Sequence, residues 1–168
     1  MDNSAVASDQ PTVTLLSLSK CEEDHLRLEQ IFQQPEATLY PGLRVAIAHA
    51  SEPACALAIV RANHVPIVIC DADNIAGGWK QFAMELRRVP APPCLILASR
   101  IPDDGLGADN LRQGVYEVLA KPLGITEVLR ITKMAWLRWQ YRYKMNNPES
   151  QQQSADSPET DRIKEEKS

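Results

Sequence analysis

Apolar and polar positions alternate in blocks along residues 12–144. Five short apolar runs stand out: TVTLLSLS (12–19), RVAIAHA (44–50), PIVIC (66–70), CLILAS (94–99) and YEVLA (116–120). Runs this short and this apolar suit strands buried on both faces. The stretches between them carry apolar residues at helical spacing. They predict helices over 19–34, with Leu26, Leu28, Ile31 and Phe32 as apolar positions, over 52–62, over 79–88, around 104–113, and from 124 to 144. Alternation of this kind implies a parallel sheet with right-handed crossovers. The predicted class is α/β, a three-layer doubly wound domain around a five-stranded parallel sheet. Its ligand site belongs outside the carboxyl ends of the strands, at the switch point of strand order. No internal repeat is visible.

The flanks read differently. Residues 1–11 are polar, and 146–168 hold few apolar residues besides Ile163. Too little apolar surface offsets the entropy of ordering them, so both ends are predicted to be disordered around a folded domain of 12–145. A net charge of −4 gives no general drive toward nucleic acid. No apolar run reaches the ~18 residues of a bilayer span, so no membrane partner is expected. The opening MDNSAVASDQ lacks the basic and apolar regions of a signal peptide, and a cytoplasmic protein is expected. The four cysteines make no CxxC pair. Cys70 and Cys94 sit in strand runs and read as core thiols, which favours a reducing compartment. His25, His49 and His64 show no metal-ligand spacing, and no glycine-rich phosphate loop is present.

Chemistry is concentrated in VPIVICDADNIAGGW (65–79), where the third strand runs into Asp71, followed by Asp73 and a Gly-Gly pair. The fifth strand ends at Lys121-Pro122, and the topology brings the two strand ends to one edge. Together with GVYEVLAKPL (114–123) and PPCLILASR (92–100), this resembles the receiver domain of two-component response regulators, a flavodoxin-like fold. The resemblance covers roughly 12–140. It implies that Asp71 is the phosphoacceptor, attacking the phosphorus of a phosphohistidine on a histidine kinase. It implies that Lys121 and the hydroxyl at the end of strand four, offered here by Ser99, bind phosphoryl oxygens. It also implies that Asp71 and the main-chain carbonyl of Asp73 help to hold magnesium (Mg2+). Such transfer rests on positioning and charge stabilisation.

The chain departs from that pattern at the acidic pair and at the hydroxyl, and Val118 stands where an aromatic residue often sits three before the lysine. Ser19 and Lys20 stand where the family has an acidic pair, so weak metal binding is expected. Glu22, Glu23 and Asp24 follow. One of them reaching back is the alternative to a Ser19-x-x-Glu22 capping box. Without gaps, Ala98 takes the hydroxyl position, with Ser99 one residue beyond it, on the other phase of the strand. The expectation is a stand-alone receiver-like module in phosphorelay signalling, not an enzyme, acting through protein contacts with impaired phosphoryl acceptance. A working receiver phosphorylated on Asp71 is the first alternative. A small flavodoxin-like nucleotide-binding or enzymatic domain is the second. The last helix carries Trp136, Trp139 and Tyr143 in one stripe with Leu129 and Thr132. Trp139 and Tyr143, among arginines, are the expected surface for a signalling partner or a homodimer. Nucleic acid is a weaker candidate partner.

Overall fold

The computed structural model describes residues 11–39, 41–101 and 112–146. Its elements are β1 (Thr12–Leu18), α1 (Glu22–Phe32), β2 (Arg44–Ala50), α2 (Pro53–Ala62), β3 (Ile67–Asp71), α3 (Trp79–Leu86), β4 (Cys94–Ser99), β5 (Val115–Ala120) and α4 (Ile125–Asn146). The helix expected around 104–113, and both ends expected to be disordered, lie outside the described residues except at their edges.

All five strands pair in parallel, in the order β2-β1-β3-β4-β5. From β1 the chain adds β2 on one side, then crosses to β3 on the other. Strand order therefore reverses between β1 and β3, and a crevice opens at their carboxyl ends.

Period-2 alternation divides the strands between two cores. Leu15, Ile67, Ile69, Ile96 and Leu119 face α1 and α4, packing with Leu28, Ile31, Val128 and Ile131. Leu16, Leu18, Val68, Cys70, Leu95 and Leu97 face α2 and α3, packing with Leu57, Val60, Phe82 and Leu86. Both faces of β3 and β4 are buried throughout, which explains their unbroken apolar runs. The β3–α3 loop turns through Gly77 and Gly78, at φ of 77° and 79°, where a side chain would be strained.

Two expectations for α1 are corrected. Leu26 is not a core residue but is 51% exposed, while His25 is buried beside Leu28 and Ile31. The capping box does not form: Cys21 is the N-cap, and it makes no side-chain cap. Ser19 lies before the cap, and its hydroxyl is used elsewhere.

These placements predict opposite outcomes for two leucines. Leu97→Ala, fully buried, should lower unfolding free energy by about 2–5 kcal/mol. Leu26→Ala should stay within about 0.5 kcal/mol. Urea denaturation of the two variants checks the pair.

Candidate functional site

Strand phase gathers the site. Ser17 and Ser19 continue the face of Leu15, Asp71 continues that of Ile69, and Lys121 continues that of Leu119. In register, Asp71 stands opposite Ala98, and Ala98 opposite Leu119. These residues converge at the carboxyl ends of β1, β3, β4 and β5, above the buried face of α1.

Lys121 is the centre. Its Nζ donates to Oδ1 of Asp71 and to Oδ2 of Asp24, each at 2.9 Å. The lysine and Asp71 side chains are only 9% and 2% exposed. Ser19 Oγ donates to the same Asp24 oxygen at 2.7 Å and accepts the Cys21 N–H at 3.0 Å. Asp71 also accepts from the Asp73 N–H at 3.0 Å and from Asn74 Nδ2 at 3.5 Å. Burial works against the charge on Lys121, but the hydrogen bonds and charges of Asp24 and Asp71 outweigh it and raise its pKa. The enclosed space among Ser17, Ser19, Asp71, Ala98 and Lys121 is about 10 Å³, room for one water at most. Outside it, a groove of about 680 Å³ runs past Leu26, Arg27, Arg100 and Pro122. Asp24, Lys121 and Leu123 line both spaces and stand between them.

No protein-family model and no curated protein matches the chain. Solved structures do. The signal receiver domain of an HD domain-containing protein from Pseudomonas fluorescens Pf-5 is 22% identical, with a TM-score of 0.66, covering 85% of this chain and 98% of that one. A two-component response regulator from Clostridium difficile is 18% identical at a TM-score of 0.58, covering 80% and 99%. A CheY-like response regulator receiver domain from Methylobacillus flagellatus is 14% identical at 0.60, covering 74% and 98%. The chain has the receiver fold.

Receiver domains typically bind magnesium in an acidic pocket. In this receiver fold the donor set does not suit a divalent ion. Hard cations need several converging oxygens, and among the described residues no group of three or more His, Cys, Asp or Glu side chains could hold a metal. The two carboxylates that do converge, Asp24 and Asp71, already share the ammonium of Lys121. Lys20 reaches Glu52 at 3.6 Å on the surface.

Asp24 was one of three acids that could have reached back. Helical phase selects it, because Asp24 lies four and seven residues before the buried Leu28 and Ile31. Ser99 lies one residue beyond Ala98, on the other phase of β4. Its hydroxyl donates to Asp73 Oδ1 at 2.7 Å, and the apolar Ala98 occupies the register position beside Asp71. Asp73 also accepts the Arg100 N–H at 2.9 Å. Its burial pushes its pKa up, but the bonds from Arg100 and Ser99 and the charge of Lys121 bring it below the usual value.

His25 went unrecognised from its spacing. Its Nε2 lies 3.0 Å from the Ser19 carbonyl, which only accepts, so Nε2 carries the hydrogen. Its Nδ1 then accepts from Ser17 Oγ at 2.8 Å. The ring thus ties α1 to the backbone segment that presents Ser19. It stacks on His49 at 4.5 Å, and His49 meets Glu29 at 3.0 Å. The two buried thiols stay protonated. Burial, with the charge of Asp71, pushes Cys70 up to about 12, and burial raises Cys94. Neither is in a disulfide.

Burial, then the neighbouring His49, lowers the His25 pKa against the opposing pull of Ser19, Asp24 and Glu22. A depressed folded pKa means that the contribution is complete above the unfolded value of about 6.5 and is lost as pH falls through the folded one. Urea midpoints should therefore drop from pH 7 to pH 5, with a shallower slope in His25→Gln. Lys121→Met should cost about 3 kcal/mol at neutral pH, since it leaves Asp24 and Asp71 facing each other without their cation. The same titrations measure it.

Proposed function

We propose that this chain is a receiver-type signalling module that works through protein contacts and accepts phosphoryl groups poorly at Asp71. The observation that carries this reading is the double ion pair of Lys121 with Asp24 and Asp71 around a space of about 10 Å³. Phosphoryl transfer needs an exposed carboxylate oxygen, a route for the donor, and cations or hydrogen-bond donors at the transferring group. Here one Asp71 oxygen accepts from Lys121 and from the Asp73 amide, and the other accepts from Asn74. The side chain opposite is Ala98, with no hydroxyl to offer. Ser99 is committed to Asp73 and to the Ile101 N–H. The partner in this reading is a histidine kinase or another signalling protein, and the module is cytoplasmic. Trp139 and Tyr143 stack at 5.2 Å beside a groove that also touches His64 and Pro92, which supports a contact surface there.

One observation favours a working acceptor instead. Asp24 does reach the site, so part of the acidic environment is supplied from α1.

The two readings separate in one assay. The chain is incubated with a small acyl phosphate and magnesium, and the intact mass is followed. Little or no gain of a phosphoryl group is expected for the wild type. Ser19→Asp combined with Ala98→Ser should increase it by restoring an acid and a hydroxyl. Stoichiometric phosphorylation of the wild type, abolished in Asp71→Asn, supports the working acceptor and sinks the proposal.

A further inference from the structure

The outer face of α4 is apolar where solvent should favour polar residues. Met134, Leu137 and Tyr141 are 54%, 43% and 67% exposed. None packs against either core cluster. Single exposed apolar residues are ordinary on protein surfaces. These three recur at spacings of three and four, which puts them in one stripe. At 3.6 residues per turn, the stripe lies on the side of the helix away from Val128, Ile131, Ala135 and Trp136. It is thus distinct from the Trp139–Tyr143 stack, where Trp139 is half-buried against the core.

The stripe has a charged border of one sign. Lys133 and Arg138 are exposed beside it. Arg138 is held there over the Tyr116 ring, 5.6 Å from its centroid. Arg130, also exposed, lies 4.0 Å from Glu127. Glu127 is the one acid in the helix, against Arg130, Lys133, Arg138, Arg142 and Lys144, in a chain whose net charge is −4. The cations are concentrated on this element.

We propose that this face docks an amphipathic helix of a partner protein whose apolar seam is flanked by carboxylates. Alternating spacings of three and four are the seam along which two helices interdigitate. Cations on both sides of the seam select acids on the incoming helix. A second copy of this chain fits less well, because a two-fold axis would set the same basic borders against each other. An anionic bilayer would attract the same apolar and basic groups, so vesicle binding is one of the outcomes of the test. The inference rests on the reading that output passes through protein contacts, and it does not depend on whether Asp71 accepts phosphate.

The test uses a fluorescein-labelled synthetic helix with leucine at its seam and glutamate on its borders, with a lysine-bordered isomer as control. Fluorescence anisotropy should show saturable binding of the acidic helix alone, weakened by added salt. Leu137→Ser with Tyr141→Ser, and separately Lys133→Glu with Arg138→Glu, should each weaken it by about tenfold or more. All four positions are exposed, and circular dichroism confirms that the variants fold. No binding, or equal binding by wild type and variants, overturns the inference. So does binding to phosphatidylglycerol vesicles without binding to the peptide, or wild-type dimerisation that the Leu137→Ser, Tyr141→Ser variant loses. Asp71→Asn should bind the acidic helix as the wild type does. A failed peptide titration beside an unphosphorylated wild type would remove the surface and leave the reading of the Asp71 site standing.

Discussion

One ammonium group organises the carboxyl edge of the sheet. Lys121 is held 2.9 Å from Asp71 and 2.9 Å from Asp24, so one side chain bridges the end of β3 and the first turn of α1. Taking a lysine out of water is costly, and a buried ion pair seldom adds net stability over an apolar packing. What it contributes is position. β5 supplies the lysine, and the packing of α1 on the sheet sets the distance to Asp24. Ser19 and His25 secure the same helix from the β1 side. If any of these elements moved, a largely buried carboxylate would lose its cation.

On the proposed reading, that arrangement limits what the receiver fold does here. Its crevice is a place where negative charge collects and an external cation enters. In this chain both carboxylates already bond to the one ammonium of Lys121, and serine, alanine and lysine side chains close the space. The Ser99 hydroxyl and the Arg100 amide, at the end of β4, are satisfied by the Asp73 carboxylate. Polar groups at the edge are thus paired with one another, which suits a module whose working surface is elsewhere. α4 carries an apolar stripe with basic borders turned away from the core, the surface proposed above.

Much of the fold was legible because buried parallel strands announce themselves. PIVIC and CLILAS have no polar side to confuse the period, and both became strands buried on each face. Asp71 and Lys121 were legible as strand ends. Their meeting followed from topology. Asp24 was harder to see. Three consecutive acids in a first helical turn read as dipole partners, and only the phase of Leu28 and Ile31 distinguishes the inward one. Leu26 misled because it is apolar at a helical position, while the burial went to His25, whose polar ring is satisfied by Ser17 and Ser19. Ser99 illustrates the period-2 rule. It is one residue from the site and lies on the wrong phase of the strand. The exposed stripe of α4 was hidden by its own tryptophans, which drew attention to the inner face.

The central claim is that Lys121 serves as the resident cation of this edge. It is tested most directly by nitrogen-detected NMR of the lysine side chains. A buried ammonium bonded to two carboxylates exchanges its protons slowly and gives a separate signal at neutral pH. The account predicts one such signal, absent in Lys121→Met and unmoved when magnesium is added to millimolar levels. A Lys121 signal that averages with the surface lysines, or one that shifts saturably as magnesium enters, would contradict it.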